Sequence, residues 1–543
     1  MINNPMIQGS PDAEQGERES ASSRRPSALL IFLLCFYALL RVAGPESPFK
    51  SVSKSDKQAA AASAELDNDS LNLLISSDLD AKSAYMQDMG SAGSVVKPSK
   101  KSLHEALVAA EAFVAKSHNS PMSARRVMIL RSLLSLDPLA PVRRRYNPLA
   151  AFTTDLPPGG ESAELNRLRL EGHAWKTVMS GKASPKQYQS AARVITSAPN
   201  LRWWRWPALS VISTRAGDMS EANRYAAKAR DDAGPPLFGF IVAILFRLGL
   251  GLLGLVLLGV GIAAAVRRFQ KADVPYFYGL WHVEPEPKDR RLTSNDLLSV
   301  FVLYLVGTEL LSFTVSGFDG IGSRHLLAFN GVITPFLPRL HAMSRDQRAI
   351  ISVALESAAY IVSALPAFVL LSWFARIRRT TLEEIGWTTR DTGRNILYGI
   401  GGFAISTPVM LAVSLLAGHA FSKAPDPSNP VIPELVFASS ALITVTLVTL
   451  AVLCAPIVEE VLFRGALYNG AKLRLGTWPA IVLSGLVFGC IHPVGIAEKL
   501  ALSSLGMVFA WVAETRKSLV PSMTAHAINN AMSTILLILL VKG

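Results

Sequence analysis

The stretch Leu450-Ala451-Val452-Leu453-Cys454-Ala455-Pro456-Ile457-Val458-Glu459-Glu460-Val461-Leu462-Phe463-Arg464 decides how the rest of the chain is read. Up to Val458 it is apolar or small. Two carboxylates and a guanidinium then arrive, embedded in more apolar residues. An ionised side chain inside hydrocarbon costs at least about 2.5–3.5 kcal/mol on insertion scales, so charges here mark a working site rather than a plain anchor. On a helix the adjacent Glu459 and Glu460 lie about 100° apart and can edge one cavity, and Arg464 sits one turn from Glu460, where it can pair with it. That pairing holds Glu460 ionised and leaves Glu459 freer to take a proton.

The composition around this stretch agrees. Half of the 543 residues are hydrophobic and 17% are charged, against roughly 25% charged in a soluble domain; mean hydropathy is +0.31. Apolar runs fall near residues 28–40, 241–266, 297–317, 350–374, 395–417, 435–455, 479–494, 500–513 and 521–541. Several can cross a hydrocarbon core of about 30 Å at 1.5 Å per residue. The fold predicted is all-α, a polytopic transmembrane helix bundle of nine spans counting the N-terminal one, with an extramembrane helical domain near the N-terminus. Phe329 to Leu340, interrupted by Pro335 and Pro338, reads as a re-entrant or surface segment, and Gly317-Phe318-Asp319-Gly320 as a turn.

The 54 Lys and Arg outnumber the 41 Asp and Glu, a net charge of +13. Much of the excess flanks apolar runs, at Arg24-Arg25, Arg267-Arg268, Arg376-Ile377-Arg378-Arg379, Arg390, Arg394, Lys472, Arg474 and Arg516-Lys517. Such placement is a topology signal before it is a nucleic-acid surface, and no nucleic-acid partner is expected. With these loops cytoplasmic, one alternating path follows. Residues 1–26 form a cytoplasmic tail and 27–44 a signal anchor or cleaved signal peptide. Residues 45–234 are an extracytoplasmic helical domain, 235–296 a spanning helix with a cytoplasmic linker, and 297–543 the embedded helical domain. The protein is expected in the cell (inner) membrane, multi-pass.

Residues 45–234 read as ordinary soluble protein. Within them Leu209 to Ala229 resembles either the second half of a tetratricopeptide repeat or a simple helical hairpin, and Trp203-Trp204-Arg205-Trp206 suits buried core better than an interface. This region is a candidate sensor, docking module or substrate-presenting arm, and a candidate site for a protein partner. Three cysteines, Cys35, Cys454 and Cys490, all in apolar runs, offer it no disulfide framework. Neither a P-loop nor a glycine fingerprint after a strand is present, so nucleotide chemistry is not supported.

Two further polar groups interrupt apolar runs: Phe488-Gly489-Cys490-Ile491-His492, and His526-Ala527-Ile528-Asn529-Asn530, where His526 and Asn530 share a helix face. Taken singly, each has a structural explanation. Together, two imidazoles, two carboxylates, a guanidinium and an amide on three late segments exceed what packing demands.

In this order the three groups resemble the signatures E-E-x-x-x-R, F-x-x-x-H and H-x-x-x-N/D of the CPBP intramembrane proteases, the CAAX protease and bacteriocin-processing or Abi family. Glu384-Ile385-Gly386-Trp387 and the stretch Trp511 to Leu519 agree with it. The resemblance covers roughly residues 380–543, with the membrane segments from 297, and not residues 1–234. It implies an endopeptidase that hydrolyses a peptide bond of a membrane or lipid-anchored protein substrate with activated water. By this resemblance Glu459 and His492 orient and deprotonate the water, His526 and Asn530 stabilise the oxyanion, and Glu460, Arg464 and Phe488 support them. A divalent metal such as zinc, held by Glu459, His492 and His526, is an open alternative. The H-E-x-x-H spacing that would argue for zinc directly is absent. Rhomboid, aspartyl and site-2 motifs are not convincingly present. A reading from another class, a non-proteolytic scaffold or immunity-type protein acting through residues 45–234, predicts that Glu459→Gln leaves function intact.

Overall fold

The computed structural model describes residues 26–43, 68–87, 97–116, 121–140, 142, 148–152, 162–198, 201–270, 290–315, 345–421, 432, 435 and 440–541. The readings made for residues 317–320 and 329–340 lie outside these. The described residues are helical and contain no strand.

Six helices, α2 (Asn68–Met86), α3 (Lys100–Lys116), α4 (Pro121–Leu133), α5 (Ser162–Ser180), α6 (Pro185–Thr196) and α7 (Arg205–Arg215), pack with the start of α8 (Met219–Gln270). They share one core around Met128, Phe152, Trp175, Trp203 and Trp204. Buried charges inside it are paired. Arg125 grips Glu171 through two bonds of 2.6 and 2.7 Å, and Asp78 accepts from Arg126 at 2.8 Å and from the Trp204 indole at 2.8 Å. Trp203 and Trp204 are thus core, as read from the sequence, while Trp206 packs half-buried against it and Arg205 is exposed. Residues 209–229 form a helical hairpin, α7 turning through Gly217 into α8.

The remaining helices are α1 (Ala28–Ala43), α9 (Ser294–Val315), α10 (Arg345–Ile377), α11 (Thr392–Ala420), α12 (Ala441–Leu475), α13 (Thr477–Ile491), α14 (Ile496–Arg516) and α15 (Val520–Val541). Six helices among the described residues are long and apolar enough to cross a membrane, within α8, α10, α11, α12, α14 and α15, and two shorter apolar ones lie in α1 and α13. The sequence runs led to nine spans. Two of those nine are these short helices, and a third is carried by α9.

Two boundaries differ from the sequence reading. The change of character at Pro235 is no break in the backbone: α8 runs unbroken through Pro235 and Pro236. The apolar run ending near 455 continues as one helix to Leu475, so Glu459 and Glu460 lie inside α12 rather than after it.

Close backbone approach through glycine holds the bundle together, as expected where lipid supplies no hydrophobic drive between helices. A Cβ at Gly489 of α13 would overlap the Lys499 carbonyl and the Ser503 hydroxyl of α14, and one at Gly307 of α9 would sit 2.5 Å from the Ser363 carbonyl of α10. The basic ends gather on one face. Arg378 pairs with Asp296 at 3.1 Å, Arg516 with Asp391 at 3.4 Å and Lys472 with Glu514 at 2.5 Å, while Arg474 reaches Ser294 at 2.7 Å. At the opposite end of α15, the Leu540 carbonyl accepts from Lys82 of α2 at 3.2 Å. The N-terminal helical group therefore sits across the bundle from the basic ends.

Candidate active site

Helix α12 departs from α geometry twice, as π-helix over Leu450–Cys454 and again over Val461–Tyr468, with Glu459 and Glu460 in the short α segment between. A π-turn widens the helix and frees carbonyls that must find other donors. Polar side chains supply them. Asn530 donates to the Ala451 carbonyl at 2.8 Å, Ser484 to Phe463 at 3.3 Å, and Asn469 to Arg464 and Gly465 at 3.0 and 3.1 Å.

Around the end of this short α segment lies a buried charge cluster. Arg464 and Glu460 are both 0% exposed and joined at 2.8 Å. A second Arg464 nitrogen donates to the Gly506 carbonyl at 2.8 Å, and the guanidinium lies over the rings of Phe488 and Phe509, 4.8 and 5.3 Å from their centroids. His526 of α15 completes the pair, its Nδ1 3.0 Å from Glu460 Oε1, with its ring stacked on Phe509. Its Nε2 faces Glu459 Oε2 at 3.9 Å. That carboxylate oxygen is buried without a hydrogen bond, while Glu459 Oε1 accepts from the Tyr360 hydroxyl at 3.1 Å.

His492 stands just past α13, where the chain turns to extended backbone. Its Nδ1 lies 2.6 Å from the Phe488 carbonyl. A carbonyl only accepts, so Nδ1 carries the proton and Nε2 keeps its lone pair. Phe488 touches both imidazoles, with centroids 4.8 Å from His492 and 5.8 Å from His526. The structure thus joins Glu459, Glu460, Arg464 and His526 by polar contacts. It brings His492 to them through the Phe488 ring, and Asn530 through the Ala451 carbonyl. His526 lies six residues into α15, about 9 Å from its first residue on the basic face, at 1.5 Å per residue.

Tyr360 was not singled out from sequence. Its signal is a phenol in the middle of an apolar run, a group that seeks a partner when buried. The roles of Ser484 and Asn469 depend on the π-turns, which no sequence pattern announced.

Among the described residues, no three His, Cys, Asp or Glu stand close enough together to hold a metal ion. The Nδ1 atoms of both histidines face other partners, and the set Glu459, His492 and His526 is not gathered as a three-ligand site. A cavity of about 250 Å³ reaches Arg464 from the basic face, past Glu384, Lys472, Glu514 and Lys517. Its lining includes neither Glu459 nor either histidine of the cluster, so it approaches the back of the ion pair.

Residues 441–532 match the family model described as type II CAAX prenyl endopeptidase Rce1-like. The match runs from the start of α12 into α15 and takes in Glu459, Glu460, Arg464, Phe488, His492, His526 and Asn530, but not Tyr360. No curated protein and no solved structure matches the chain. Over residues 441–532, the chain is thus similar to the CPBP/CAAX protease family.

Proposed function

We propose that this protein is an intramembrane endopeptidase in which Glu459 is the general base. The observation that supports this most is Glu459 Oε2, buried and without a donor, facing His526 Nε2 at 3.9 Å. A water there gives one hydrogen to the carboxylate oxygen and accepts from Nε2–H.

In the reaction, Oε2 of Glu459 takes a proton from that water and the hydroxide oxygen bonds to the scissile carbonyl carbon. The His492 Nε2 lone pair accepts from the same water and fixes its orientation. His526 donates Nδ1–H to Glu460, which Arg464 holds ionised, so an imidazolium at this position is compensated and its Nε2–H is left for the developing oxyanion. Of the two Asn530 N–H groups, one is spent on Ala451 and the other completes the oxyanion donors. The C–N bond then breaks as the proton moves from Glu459 to the leaving nitrogen. General acid–base catalysis supplies typically 10²–10⁴-fold and a preorganised oxyanion donor about 10²–10³-fold.

The substrate class is a membrane-associated or lipid-anchored protein. Basic ends on one face make that face cytoplasmic in a multi-pass cell membrane protein, with the reacting groups nearer to it. Residues 45–234 are then an extracytoplasmic domain with a protein partner of its own.

The test compares protein N-termini in membranes and envelope from cells carrying the wild type or Glu459→Gln at matched abundance. The expected result is a defined set of termini lost in the variant, naming the substrates. Identical termini, with function dependent on residues 45–234, would support the scaffold reading instead.

A further inference from the structure

The family match begins at residue 441, yet one group bonded to the base comes from outside it. We propose that Tyr360 on α10 is a positioning residue for Glu459, an inference that rests on the endopeptidase reading. A glutamate carboxylate has two chemically equal oxygens and a broad terminal torsion, so an untethered Glu459 presents either one. The Tyr360 hydroxyl, donating to Oε1 at 3.1 Å, removes that equivalence. It ties one oxygen to α10 and leaves Oε2, which has no hydrogen bond, facing His526 as the oxygen that receives the proton.

The phenol is itself held by backbone packing. Ser363, three residues along, donates its hydroxyl to the Tyr360 carbonyl at 2.8 Å, and the Ser363 carbonyl lies where Gly307 of α9 has no side chain. The contact between α9 and α10 therefore sets the depth of the phenol, and the phenol sets the carboxylate. Among the described residues of α10, Tyr360 is the one that bonds to Glu459, so one hydroxyl couples this helix to the base.

Tyr360→Phe removes the hydroxyl and keeps the ring. In the full chain, with a substrate found by the N-terminus comparison, kcat is expected to fall about tenfold or more, the value of a hydrogen bond to a charged group. KM and the thermal unfolding temperature should stay unchanged. A purely structural tyrosine would lower the unfolding temperature and leave kcat of the folded fraction intact, and that result would overturn the proposal. A second measurement needs no substrate: carbodiimide labelling of Glu459, read by mass spectrometry in wild type and Tyr360→Phe. The phenol occupies Oε1, and its loss frees that oxygen for the reagent, so labelling should quicken; equal rates would also overturn it. If Glu459→Gln leaves cleavage unchanged, the endopeptidase reading fails and the labelling still decides whether Tyr360 holds the carboxylate. If Glu459→Gln abolishes cleavage while Tyr360→Phe spares kcat, the positioning role alone fails.

Discussion

Glu459 and Glu460 are neighbours with unlike surroundings. Glu460 is wholly buried against Arg464, and cutting a buried pair on one side leaves an uncompensated charge worth about 3–5 kcal/mol. Arg464→Met is therefore expected to destabilise the bundle by that amount in detergent, seen as a lowered unfolding temperature, while Glu459→Gln moves it far less. An Arg464→Met protein as stable as wild type would remove the structural role of the pair. Asn530→Ala should cost cleavage about a hundredfold through the lost oxyanion donor, with a smaller stability loss from the orphaned Ala451 carbonyl, separable by measuring both. The Glu460–Arg464 contact could be read from four-residue spacing alone. What His526 touches could not, because spacing within one helix says nothing about which neighbour it meets; it set His526 beside Asn530, whereas packing turns one to Glu460 and the other to Ala451.

Helices here are fitted by what they lack. Gly489→Val would force α13 off α14 at the Lys499 carbonyl, and overpacking of this kind costs about 1–3 kcal/mol. Since His492 follows directly on α13, cleavage should fall with stability. Gly259→Ala on α8, where nothing lies within 4 Å, is the control and should change neither; equal behaviour of the two variants would refute the packing argument. The apolar runs located α8 and α10 to α15 because a membrane imposes length and composition on whatever crosses it. The run reading ended α12 too early, since it treats charge as the end of a span, whereas Glu460 and Arg464 are tolerated inside α12 by pairing with each other and Glu459 accepts from Tyr360. The π-turns left no trace in hydropathy.

Across the molecule, Arg378, Lys472, Arg474 and Arg516 collect on one face, and the N-terminal helices meet the far end of α15 through Lys82. Burial pushes the Lys82 ammonium from its ordinary 10.5 down to about 8, with Asp78 acting in the opposite sense. Between those two values the unfolded chain binds more protons than the folded one, so stability of this helical group should climb as pH rises from about 8 to 10.5. The gain is roughly 3 kcal/mol at most, and stability should be flat in this respect below pH 8. Lys82→Met should abolish the climb and raise stability at neutral pH. Hydrogen exchange of α2 amides across this range is the measurement, and a wild-type profile without the climb would contradict it.

Helix α8 has 52 residues, a rod of about 78 Å at 1.5 Å per residue. Its two prolines each delete a backbone hydrogen bond, so its softest point falls at Pro235-Pro236. Gly239 lies against Leu539 just beyond that joint, and Lys82 straps α2 to Leu540 beside it. The N-terminal helices therefore meet α15, the helix that carries His526, through a Lys82 contact that does not run through the proline joint.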